Sequence, residues 1–478
     1  MDEILLMDAT ALVGAYRNKT LSPRDAVDAM LKAIDRFNPI VNAFCIVDHE
    51  GARAAAAESE TRWMRSEPRG IVDGVPFTIK DALLWRGFPV RGGSKGTPTD
   101  PATENAPAVD EMLGAGAIPL GKTTLPEAGW KALGDSPLYG ITRNPWDTRM
   151  TTGGSSAGAA AAAALNMGAL HIGMDSAGSI RIPSSFCGVF GLKPTHGRVS
   201  GYPPLPFALI SDVGPMTRTV RDAALMLTAM AGPDRRDIWA LQNDPPDYRS
   251  TLDDGVRGLR IAWSPRLNFV QQLDGEVERI CAAGARAFEE CGAYVEEANP
   301  PWNDPYDIIR MIWTTGSMSE LRDIPQERWN ECDPGFVACA KAGADVKAID
   351  FMAQVNARAP LYQQMSEFHD KYDVLLTPAV ATTPFEVGHN TPPDGRFGDD
   401  WMRWAPYSYP FDLTLQPAAS VPCGMTESGL PVGLQIVAPL LQDDLVLRVA
   451  RAFESVRPWE TLREPRERQG ALNDGGEV

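Results

Sequence analysis

Histidine is scarce in this chain, with five residues in 478, and none of the seven cysteines stands in a Cys-x-x-Cys pair. Cys332 and Cys339 have no histidine at ligand spacing, so a zinc-type site is not expected there. An odd number of unpatterned cysteines reads as free, mostly buried thiols in a reducing compartment, which points to a cytoplasmic protein. Positive charge is also short: 45 Lys and Arg face 62 Asp and Glu, a formal charge of −17, and the basic residues are scattered. A nucleic-acid groove needs the opposite balance, so no nucleic-acid partner is expected. Long hydrophobic runs are missing as well. The least polar stretch, 157–174, is mostly Ala and Gly with Asn166 and His171 inside it, a poor membrane span. The first residues, MDEILLMDATALVGAYR, are acidic early and have no basic region before the apolar part, unlike a signal peptide.

What is present is ordinary globular material, 44% hydrophobic and 22% charged, long enough for one large α/β domain or two fused lobes. A helix is predicted to open at Ser22-Pro23-Arg24-Asp25, where serine caps, proline suits the first turn and Asp25 approximates a capping box. Val27, Met30, Leu31 and Ile34 then mark its inward face. Val75 to Ile79 reads as a buried strand delivering Lys80 at its end. Farther on, LRIAWSP, EVERICAAGARAFEE and AYVEEA follow as strand, helix and strand, with Val277, Ile280, Cys281, Gly284 and Phe288 on one helical face and a stop at Gly292. That order implies a parallel crossover and an α/β sheet. QPAASVPCGMTESGLPVGLQIVAP reads as a hairpin around Glu427-Ser428-Gly429. Residues 300–410, rich in proline and holding five of the twelve tryptophans, read as irregular, a pocket wall or lid.

Two segments are dense in small residues. In TTGGSSAGAAAAAAL, Ser155 and Ser156 stand at the start of an alanine helix, where unpaired N–H groups favour negative charge, although serines there can equally serve only as caps. In DSAGSIRIP, the slight bulk of Ser176, Ala177 and Gly178 lets consecutive amides converge in front of Ser179, as an oxyanion requires, although a tight turn would look the same. A serine nucleophile needs a base. No G-x-S-x-G elbow exists; His171 and His196 flank the segment and leave a Ser–His pairing open, while Lys80 qualifies if burial keeps its amine neutral.

GVPFTIKD, GGSSAGAAAA, DSAGSIRIPSSFCGVFGLKPTHGRVS, YDVLLTPA and QPAASVPCGMTESGLPVGLQIV, in that order, resemble the amidase signature family of Ser-cisSer-Lys amidohydrolases. The resemblance spans nearly the whole chain and is weakest at 300–370 and 385–410. It implies one amidase domain over 1–478, with a large mixed β-sheet covered by helices on both faces. Within it, 1–70 form an N-terminal helical part, 71–235 the catalytic core and 300–410 a variable pocket or lid insertion. It implies Ser179 as nucleophile, Ser155 as bridging serine behind a cis peptide bond, and Lys80 as terminal base. The oxyanion hole then belongs to the amides of Ser176, Ala177, Gly178 and Ser179, with Ser156, Asp175 and Arg181 in support and Gly129, Trp130 and Trp313 against the substrate. Ala177 stands where most of the family has glycine, which resembles the aryl-acylamidase and nylon-oligomer hydrolase branch. The implied activity is hydrolysis of aryl or alkyl amides, with esters or carbamates as further substrates, without cofactor or metal, by a monomer or homodimer acting on a small molecule away from membranes. The alternatives are the glutamine-hydrolysing component of a glutamyl-tRNA amidotransferase-like complex, or a binding protein that has kept the fold without the chemistry.

Overall fold

The computed structural model describes residues 3–204 and 207–467. Eleven strands form one mixed sheet. Its spatial order is Phe44–Val47, Ile118–Thr123, Pro76–Lys80, Leu170–Asp175, Asp212–Thr217, Phe190–Lys193, Ala418–Met425, Pro431–Val437, Val374–Pro378, Arg260–Trp263 and Tyr294–Glu297. The α/β class and the large mixed sheet packed by helices are therefore as expected. Pro76–Lys80 runs parallel to both its neighbours. All five of its residues are buried, as a central parallel strand requires. It thus brings Lys80 to the sheet's interior end.

The helix Pro23–Val41 carries the full capping box at Ser22 and Asp25, and Val27, Met30, Leu31 and Ile34 are buried. Arg260–Trp263 and Tyr294–Glu297 pair in parallel across the helix Gly275–Glu290, and Ala418–Met425 pairs antiparallel with Pro431–Val437. Residues 300–410 differ from the irregular reading. They contain the helices Tyr306–Leu321, Pro334–Ala342, Ala348–Asn356 and Arg358–His369, followed by the strand Val374–Pro378. Ile309, Ile312, Trp313, Ser317 and Leu321 are buried at helical spacing, a period that the surrounding prolines and tryptophans obscure. These helices pack around Trp302, Trp401 and Trp404 in a hydrophobic cluster that also contains Ala177, Ile182 and Phe186. Among the described residues no helix is long and apolar enough to cross a membrane.

Candidate active site

The helix Ala157–Ala164 is buried at every position, and a Cβ on Gly158 would lie 2.2 Å from the Ala43 carbonyl oxygen. Only small residues allow so close an approach. The turn before it is equally tight: a Cβ on Gly154 would meet the Leu133 carbonyl oxygen at 2.1 Å, and the Gly154–Ser155 peptide is cis. Ser156 does not cap the helix with its side chain. Its Oγ instead accepts from Lys80 Nζ at 2.9 Å and from the Met174 N–H at 3.1 Å, so capping is not what these serines do. Lys80 Nζ also donates to Ser155 Oγ at 2.8 Å and to the Met174 carbonyl at 3.5 Å. Burial pushes the Lys80 ammonium down to about 7, against the opposing pull of the Asp175 charge. A substantial neutral fraction therefore exists near neutral pH, and a neutral amine can accept a proton.

Lys80, Ser155, Ser176 and Ser179 share one cavity of about 310 Å³. The Ser179 carbonyl accepts from the Ser156 N–H at 3.0 Å, which ties the two serine segments together. Asp175 organises the loop between them. It accepts from the N–H groups of Gly178 at 2.6 Å, Ile180 at 3.0 Å and Arg181 at 3.3 Å, and pairs with the Arg181 guanidinium. Burial works to raise its carboxyl, but Arg181 and these donors hold it well below the usual range. One consequence corrects the expected oxyanion set: the Gly178 amide is spent on Asp175. No described residue accepts from the N–H groups of Ser176, Ala177 or Ser179, which leaves those three available. Gly178 still matters through its shape, with φ +112° and a would-be Cβ 2.5 Å from Ser408 Oγ. Ala177 needs no such backbone; its methyl is buried among Ile182 and Phe186.

Arg181 is fully buried and reaches Asp412 at 2.7 Å, Gln435 Oε1 at 2.9 Å and the Ser408 carbonyl at 3.0 Å. Asp412 and Gln435 escaped the sequence reading, although a carboxylate in YPFDL and an amide inside VGLQIV are polar interruptions of apolar runs. Neither flanking histidine borders the cavity. His171 sits against Thr78 Oγ1 at 2.9 Å with its imidazole pushed down to about 3 by burial, and His196 pairs with Asp212. The Ser–His pairing left open by the sequence is thus closed by geometry.

Gly129 borders the cavity, where a Cβ would stand 3.3 Å from Ser155 Oγ. Trp130 and Trp313 do not, contrary to expectation. Trp313 stacks on Phe207, ring centroids 3.9 Å apart, and Phe207 presents the inner surface. Both tryptophans therefore form a layer behind the wall. Residues with no sequence signal complete the lining: Val90 and Leu125 on one side, Glu320, Ile324 and Phe336 from the 300–410 helices on the other. Burial raises the Glu320 carboxyl to about 6, with help from Asp323. Among the described residues no cluster of three or more metal-ligating side chains occurs.

Comparison with known proteins agrees with this arrangement. The family model described as Amidase matches residues 25–447. An acylamidase of Rhodococcus erythropolis is 38% identical over 472 residues, covering 95% of this chain and 96% of that protein. The amidase-like component of the glutamyl-tRNA(Gln) amidotransferase of Desulforudis audaxviator is 32% identical, with 96% of each chain covered. A solved bacterial aryl acylamidase of the amidase signature family superposes with a TM-score of 0.88 at 30% identity, over 95% of this chain and 96% of that one. With lysine, two serines and their supporting ion pair brought into one cavity by the fold those proteins share, the chain belongs to the amidase family, as an amide-hydrolysing member.

Proposed function

We propose that this amidase hydrolyses neutral aryl or alkyl carboxylic amides through an acyl-enzyme on Ser179. The observation that carries the reading is the hydrogen bond from a buried Lys80 to Ser155, in a cavity that also holds Ser179. Neutral Lys80 accepts the Ser155 proton as Ser155 accepts that of Ser179, and Ser179 Oγ attacks the amide carbonyl. The free amides of Ser176, Ala177 and Ser179 form the oxyanion hole for the tetrahedral oxygen. The same relay returns the proton to the leaving amine, and water then releases the acid. The apolar lining from Val90, Leu125, Phe207, Ile324 and Phe336 favours an acyl or aryl group over the polar head of glutamine, so the amidotransferase role ranks second. Esters and carbamates fit the same chemistry, and seven free thiols suit a cytoplasmic setting. Ser179→Ala and Lys80→Ala should each remove most turnover of a p-nitroanilide by the isolated chain; full activity in either variant, or glutamine hydrolysed in preference, refutes the reading.

A further inference from the structure

Behind the aromatic wall lies a second groove of about 580 Å³, and none of its bordering residues borders the first cavity. Trp130, Trp313, Trp401 and Met402 supply its apolar surface, with Gly335 and Ala338 beside them. Trp313 and Trp401 meet edge to face, ring centroids 5.5 Å apart, an arrangement that leaves room for a further ring. Trp130 is 7% exposed, and its indole N–H has no acceptor among the described residues. A buried donor without a partner is costly, and a ligand with an acceptor relieves it. The charged groups here largely satisfy each other: Arg310 lies 3.6 Å from Asp400, which also accepts from the Tyr306 hydroxyl, and Asp399 leaves the groove slightly acidic. That balance turns away anions and gives a cation no free partner of its own beyond Asp399.

We propose that this groove is a second binding site for a neutral aromatic compound bearing a carbonyl-type acceptor. The ring seats against Trp313 and Trp401, and the acceptor takes the Trp130 N–H. Occupancy reports directly to the first cavity. Trp313 stacks on Phe207 at an interplanar angle of 4° and donates its own N–H to the Trp130 carbonyl at 2.8 Å, and Trp130 follows Gly129, which stands beside Ser155. An aryl amide has the required chemistry, so substrate at high concentration fills both sites and turnover departs from a simple hyperbola. The inference does not depend on which serine is the nucleophile, because its test reads binding.

The test is calorimetric titration of the full chain with acetophenone, a neutral aryl ketone that carries no scissile amide. Ala338 is exposed, so Ala338→Trp fills the groove without disturbing the core. The parent is expected to show one class of sites that Ala338→Trp lacks, and Trp130→Phe, which keeps a ring but removes the N–H, should weaken that class about two- to tenfold. Thermal melting verifies that both variants are folded. Equal stoichiometry and affinity in the parent and Ala338→Trp overturns the proposal, whether acetophenone binds only in the first cavity, binds nowhere, or finds the groove covered by a second copy of the chain.

Discussion

Lys80 is the residue on which pH dependence turns. Its ammonium titrates at about 7 and must be neutral to accept a proton, so kcat/KM should climb as pH rises through 7 and fall away below it. Asp175 raises Lys80, so Asp175→Asn should move that acidic limb to lower pH. The same change weakens the pairing with Arg181, so the shift is to be read on residual activity across a pH series. Lys80→Met provides the complementary test: it exchanges a buried amine for an apolar chain of similar length. It should be inactive yet melt no lower than the parent, because activity and stability make opposite demands on this position. Calorimetric melting beside a turnover assay checks both halves.

Single elements carry the next level of control. The helix Pro23–Val41 is fixed at its start by Ser22, whose Oγ accepts from the Arg24 N–H at 3.1 Å and donates to Glu60. Ser22→Ala should cost about 1 kcal/mol in urea unfolding without changing kinetics. The helix Pro334–Ala342 bears on specificity instead, because its Phe336 lines the catalytic cavity and is buried. Phe336→Ala should raise kcat/KM for bulky acyl groups relative to acetyl, and an unchanged ratio across an anilide series counts against that wall assignment. Such elements were unequally legible in advance. Ser22, the strand-helix-strand unit from 260 to 297 and the Ala418–Val437 hairpin announce themselves through caps, period and turn residues, which are local. The helices of 306–369 were hidden because Pro300, Pro301 and Pro305 and the clustered tryptophans look like loop chemistry, while the buried period of Ile309, Ile312 and Trp313 is short and broken by threonines. Trp130 and Trp313 were misplaced for a related reason. Composition marks a tryptophan as a large apolar surface but not which side of a wall it occupies.

At the scale of the whole molecule, Arg181 joins parts far apart in the chain: Asp175 at the end of a strand, Asp412 in the helix Tyr409–Leu413, and Gln435 in the strand Pro431–Val437. All of its side chain is buried. Arg181→Met should therefore cost about 3–5 kcal/mol of stability in chemical denaturation, because Asp175 is left buried without its countercharge. The variant should also lose turnover, since the amides held by Asp175 would no longer be aligned.

What the sequence by itself determined was local chemistry: small residues where backbones approach closely, a lysine at the end of an apolar strand, serines at the start of an alanine helix, and the ordered motifs that resemble one family. These are readable because backbone sterics and hydrogen bonding act over a few residues. Tertiary structure alone decided which groups meet. Lys80 and Ser155, 75 residues apart, touch because parallel strands stack their ends at one edge of the sheet. The Gly178 amide is lost to Asp175, His171 is withdrawn to Thr78, and Phe207 rather than Trp313 faces the cavity. Each of those outcomes is a competition among distant side chains for the same space or the same hydrogen bond, and no local pattern encodes its winner.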